Sequence, residues 1–151
     1  MVVDGLGEHL TAWAEGLRVP VQDAMATMLR TITLYNFGPT GVARPTDWAD
    51  LSVGYAATHH GGNRTPTLEL TGALKVSIET ELGNPDHSTV FTTNDYAAIH
   101  QWGLDNEQGF KMSARPFFPI EGSEDNFVLT PYAENEIRLA AEQAISEYLA
   151  R

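Results

Sequence analysis

Leu6, Leu10, Trp13 and Leu17 recur at spacings of four, three and four, and a helix brings such positions onto one stripe. A helix of this kind has to lay its stripe on a core, which commits the N-terminus to a packed fold. The pattern predicts a helix ending near Arg18 or Val19. Pro20 then opens a second helix at its first position, where the missing N–H is no loss. Val21, Met25, Met28, Leu29 and Ile32 share that second helix's face up to the Asn36-Phe37-Gly38-Pro39 stop. Packing is the commoner use of a Met-bearing stripe, adaptable binding the rarer one.

The other end of the chain is equally directive. Thr130-Pro131 supplies an N-cap and a first-position proline, and Glu134 and Glu136 sit near the positive end of the dipole. Ala133, Ile137, Ala140, Ala141, Ala144, Ile145, Tyr148 and Leu149 form the apolar face. Between the helical ends, Gly38 to Pro66 has the composition of turns and loops. Leu74, Val76, Ile78, Thr80 and Leu82 then alternate with Lys75, Ser77, Glu79 and Glu81, the period of a half-buried strand. Gly83-Asn84-Pro85-Asp86 breaks it, and Ser88 to Thr93 reads as the antiparallel partner. Asn94 or Asp95 is the expected cap of a short helix over Tyr96 to Trp102, closed by Gly103. The expectation is an α+β fold: N-terminal helices and a C-terminal helix packed on a small antiparallel sheet, in one domain spanning residues 1–151.

Composition removes whole classes of function. The chain has no cysteine, so disulfides, thiolate zinc sites and cysteine nucleophiles are excluded. Twenty acidic against nine basic side chains give a net charge of -11, which argues against grip on a phosphate backbone or an anionic membrane. No apolar run approaches the ~18 residues of a membrane span. Nothing at Met1 to Gly5 reads as a secretion signal, and cytosolic synthesis is the expectation.

Catalytic signatures are missing as well. There is no G-x-G-x-x-G, no phosphate loop, no H-E-x-x-H and no G-x-S-x-G. Neighbouring side chains such as His59 and His60 diverge, and no ligand follows at helical spacing, so they read as loop histidines. A hydrolase built on His100 and Asp95 needs partners assembled in space and has no local signature. What stands out instead is packing chemistry. Tyr96, Ile99 and Gly103 share one side of the short helix, and Ala97 and Ala98 let another backbone come close. Ala114-Arg115-Pro116-Phe117-Phe118 sets a stiff step between a guanidinium and two aromatics, a combination enriched at interfaces; composition leaves core and interface both open.

These segments carry a resemblance. In order they are Trp48-Ala49-Asp50-Leu51-Ser52; Leu70-Thr71-Gly72-Ala73-Leu74 leading into Ser77-Ile78; Thr93-Asn94 before Tyr96-Ala97-Ala98-Ile99-His100-Gln101-Trp102-Gly103; and Ala114 to Phe118 ahead of the last helix. The sequence resembles the phage virion morphogenesis family, which includes the tail-completion S proteins and the G protein of Mu-like phages. Two features depart from the family pattern: Val53 to Leu68 holds Arg64 as its single basic residue where relatives are rich in Lys and Arg, and Trp102 replaces a phenylalanine.

The resemblance implies a structural virion protein of tailed phages with no catalytic activity, metal or cofactor, needed to complete the tail or join it to the head. It implies a ring at the neck, a hexamer first and a dodecamer second, in which two different patches of each subunit meet. The other implied partners are neighbouring neck, connector or tail-tube proteins, with double-stranded DNA as passing cargo and no membrane. The implied location is the virion, with the host cytoplasm during assembly. Trp48, Leu51, Tyr96, Ile99, His100, Trp102, Arg115, Phe117 and Phe118 are the candidates for family motif or subunit interface. Two other readings stand beside this one: a tail assembly factor that leaves before maturation, and the His100 hydrolase.

Overall fold

The computed structural model describes residues 6–38, 41–65, 68 and 71–151, with side chains from Thr11 onward. Expectations that fall on Met1 to Gly5, on the side chains of Leu6 and Leu10, and on Pro39, Pro66 and Leu70 lie outside the described residues. In chain order come α1 (Leu6–Tyr35), α2 (Val53–His59), α3 (Ala73–Val76), β1 (Ile78–Glu81), β2 (Thr89–Thr92), α4 (Ala97–Trp102), β3 (Leu104–Asp105), β4 (Lys111–Met112), β5 (Ile120–Ser123), β6 (Asn126–Leu129) and α5 (Pro131–Leu149). The fold is α+β with helices at both ends. Its antiparallel structure is divided among the hairpins β1–β2, β3–β4 and β5–β6, where the sequence suggested one small sheet.

The N-terminal pattern forms one helix, not two. Leu17, Val21, Met28 and Ile32 continue in one covered stripe across Pro20, so the packing face keeps its phase. Burial of that stripe outweighs the penalty of an interior proline, about 3 kcal/mol. Met28, Leu29 and Ile32 pack with Ala43 and with Ala133 and Ile137 of α5. Further along, Trp13 meets Tyr148 of α5 edge-on at 6.3 Å, and Tyr148 fills the space a Cβ on Gly16 would need. The cap of α5 is as expected: Thr130 Oγ1 accepts from Ala133 N at 3.4 Å while donating to Ala43 O at 3.3 Å, with Pro131 opening the helix.

Two further readings are corrected. The strand expected from Leu74 begins at Ile78, because residues 73–76 close a helical turn, with Ser77 Oγ donating to Leu74 O at 2.7 Å. Leu74 and Ile78 are four apart, so helix and strand both put them on one side, and both are buried. Val76 decides between the two, since alternation would turn it inward and it is 77% exposed. The register pairs Ile78 with Thr92 and Glu81 with Thr89, as a hairpin of the expected partners. In the second case, α4 turns Ala97 and Gln101 inward, where the sequence suggested a face of Tyr96, Ile99 and Gly103. Asn94 Oδ1 does accept from Tyr96 N at 3.2 Å, but α4 has no side-chain cap on its first turn. Gly103 ends it at φ 82°, as expected.

Helix α2, inside the segment read as loop, is nucleated by Ser52, whose Oγ accepts from Tyr55 N at 3.3 Å, and anchored by buried Ala56. The central core gathers Phe37, Trp48, Leu74, Ile78, Ala97 and Phe117, with Phe118 and Val90 packed on it.

Candidate functional site

Residues 115–118 run through this core without a sheet partner, and a buried backbone has to find hydrogen bonds somewhere. Most come from side chains of other elements, and one from a backbone carbonyl of α4. Arg115 N donates to His100 O at 2.7 Å. Pro116 O accepts from Trp48 Nε1 at 2.9 Å, and Phe117 O accepts from Asn36 Nδ2 at 3.0 Å. Gln101 Oε1 accepts from both Phe117 N and Phe118 N at 3.0 Å, while its Nε2 donates to Phe118 O at 3.4 Å. The Phe117 ring lies 5.3 Å from Phe37 and 4.9 Å from Phe118. One indole and two buried amides therefore do the work of a neighbouring strand.

A second lock closes α1, which has no basic residue in its last turn. Arg44 donates to Asn36 O through Nε at 2.8 Å and Nη2 at 2.6 Å, and also to Gly38 O, placing a cation at the negative end of the helix. Its guanidinium lies 3.6 Å from the Trp48 ring centroid, so the indole that holds Pro116 also carries the cation. Burial pushes the Arg44 pKa below its ordinary value, and nearby Asp47 counteracts this.

The family-motif residues divide by depth. Trp48, Leu51 and Phe117 are buried inside the subunit, and Phe118 and Ile99 are half-buried. Trp102 is half-buried and lines a cleft of about 450 Å³ with Ala114, Pro116, Glu121 and Gly122. Tyr96 is exposed, its ring edge-on to His100 at 5.7 Å. Arg115 is half-buried: Nη2 reaches Ala49 O at 3.4 Å, and Nε is buried with no partner. Its pKa is lowered by burial, an effect that neighbouring Tyr55 partly reverses.

His100 Nδ1 is buried without a hydrogen-bond partner, so no carboxylate orients the ring from that side as a triad would require. Burial, then the charge of Arg115, holds the His100 pKa below its ordinary value, which favours the neutral ring. Among the described residues, no group of histidines and carboxylates is arranged to hold a metal ion. His59 instead stacks on Tyr55 at 4.5 Å.

Arg44, the inward role of Gln101 and the reach of Asn36, read only as part of a helix stop, to Phe117 went unread in the sequence. The signal for Arg44 was available, as a cation shortly after a helix that lacks one in its last turn. Asn36 and Gln101 have no such signal, because their partners lie 81 and 16 residues away.

Such a geometry defines an α+β scaffold whose motif residues hold its own irregular segments in place. The chain belongs to the phage virion morphogenesis family, whose model matches residues 2–145. Membership gives it a role in the phage virion and its assembly. No curated protein and no solved structure matches it. Among the described residues, no helix is long and apolar enough to cross a membrane.

Proposed function

We propose that this protein is a structural subunit of the phage tail or neck that closes a ring around the passing genome, completing the tail or joining it to the head, with no catalytic step and no cofactor. Beside family membership, the division of charge carries this reading. Arg18, Arg30, Arg44, Arg64 and Arg115 all donate to backbone carbonyls of their own subunit. Glu79, Glu81, Glu121, Glu124, Asp125, Glu134, Glu142 and Glu147 are exposed. Five arginines are thus tied to the subunit's own backbone and exposed Lys111 and Arg138 pair with Asp105 and Glu142, which leaves an excess of exposed, unneutralised carboxylates, a surface that repels duplex DNA and lets it slide.

A hexamer is the favoured ring and a dodecamer the alternative, with connector or tail-tube proteins as the neighbouring layers. The experiment is an image reconstruction of the head–tail junction in the intact particle. A fitted ring of this subunit with carboxylates on its inner wall is the expected result, and a neutral or basic lumen would refute the sliding surface. If every layer is filled by other chains and mass spectrometry finds no stoichiometric copy in purified particles, the protein is an assembly factor instead.

A further inference from the structure

Two surfaces of the subunit lack a partner, and their chemistry is complementary. The first is the hairpin β5–β6. Only its base, Ile120 and Leu129, is half-buried; every residue from Glu121 to Val128 is exposed, Phe127 at 55% and Val128 at 63%. A two-stranded ribbon bare on both faces is marginal by itself. At about 3.3 Å per residue, its tip stands roughly 13 Å beyond Ile120. Glu124 and Asp125 form that tip.

The second surface joins α2, α4 and the segment after β4. Tyr55 is tilted against His60 at 5.6 Å and stacked on His59, and Arg115, whose backbone N–H donates to His100 O and whose Nη2 reaches Ala49 O, is within electrostatic reach of Tyr55. It gathers a cation, histidines and tyrosines in a chain of net charge -11. Within the described residues, the Arg115 guanidinium, a group with five donors, makes one long hydrogen bond and no ion pair. A half-buried guanidinium in this state has donors left to take a carboxylate in bidentate contact.

That carboxylate does not come from the subunit's own hairpin. Ala114 and Pro116, which flank Arg115, line the cleft shared with Glu121 and Gly122, whereas the Arg115 guanidinium reaches Ala49 O. We propose that the β5–β6 hairpin of one copy docks tip-first on the Tyr55–His60–His100–Arg115 face of the next, so that Glu124 and Asp125 meet the Arg115 guanidinium. Two separate, complementary patches on one subunit form a heterologous contact, the type that closes rings. The proposal rests on the ring reading above and specifies which surfaces make it.

The absence of native cysteine allows a direct test. Particles are assembled with the double variant Tyr55→Cys/Asp125→Cys and treated with a short bismaleimide. The expected result on a denaturing gel is a ladder of covalent oligomers up to the ring size, with dimers only when the two single variants are mixed. No ladder from particles whose junction images as a ring of this subunit would overturn the hairpin contact and leave the ring intact; no ring at all would overturn the ring reading itself. A second measurement covers poor crosslinker geometry. Glu124→Lys/Asp125→Lys alters only exposed side chains, so it keeps the wild-type melting temperature and lowers incorporation into particles at least tenfold, and adding Arg115→Glu restores it. Unchanged incorporation of the hairpin variant would refute the contact.

Discussion

Replacing Gln101 by leucine keeps the volume and apolar contact of the side chain while removing the acceptor shared by Phe117 N and Phe118 N. Phe117 N then stays buried and Phe118 N half-buried without a partner, at about 1–3 kcal/mol each, and the added apolar surface returns about 1 kcal/mol. The net expectation is a loss of about 3 kcal/mol. With an unfolding entropy of about 2.1 cal/mol/K per residue, a chain of this length melts roughly 9 °C lower for that loss. Thermal and urea unfolding followed by circular dichroism measure it, with Gln108→Leu, an exposed glutamine, as the control expected within about 0.5 kcal/mol of wild type. Amide exchange adds a local readout, because Phe117 and Phe118 should lose protection ahead of α1 and α5. A Gln101→Leu protein within about 1 kcal/mol of wild type, with those two amides still protected, would refute the claim that one side chain replaces a strand.

Trp48→Phe keeps an aromatic ring under Arg44 but leaves Pro116 O without its donor, and should cost about 1–2 kcal/mol in the same unfolding assay. Gly103→Ala should cost about 3 kcal/mol: the residue sits at φ 82° and ψ -179°, and its new Cβ would lie 2.9 Å from Met112 O and 3.1 Å from Ala114 N, backbone atoms with little freedom to yield. His100 should make stability depend on pH. Its pKa in the folded protein lies below its value in the unfolded chain, so the unfolded state binds more protons as pH falls below about 6.5, and stability drops with it. Between pH 8 and 5.5, His100→Gln should show a shallower decline than wild type, and identical slopes would exclude this histidine as the source.

Local signals in the sequence were accurate where one element decides the outcome. Thr130-Pro131 started α5, Gly103 ended α4, and residues 89–92 paired with β1, because caps, positive φ and strand period act within a few residues. Errors arose where two local rules agree and a distant contact decides. Pro20 reads as a helix start, yet the stripe through Leu17 and Val21 needs a single helix against α5. Leu74 and Ile78 satisfy helix and strand alike, and β1 begins only after a helical turn. At the candidate site, the motif runs through Ala114 to Phe118 but carries no sign of how that segment is supported. Asn36, Trp48 and Gln101 reach it across long stretches of chain, a relation no periodicity records.

The side-chain lock on residues 115–118 also bears on when the subunit becomes usable. Its bonds join Phe117 to Asn36 and Pro116 to Trp48 across 81 and 68 residues, so the entropy of closing long loops should place them late in folding, after the helices and local hairpins. Arg115 is held in position by the same late event. If the proposed contact forms, a partly folded chain would offer its hairpin but no seat for its neighbour's, and the growing structure would admit only copies that have finished folding.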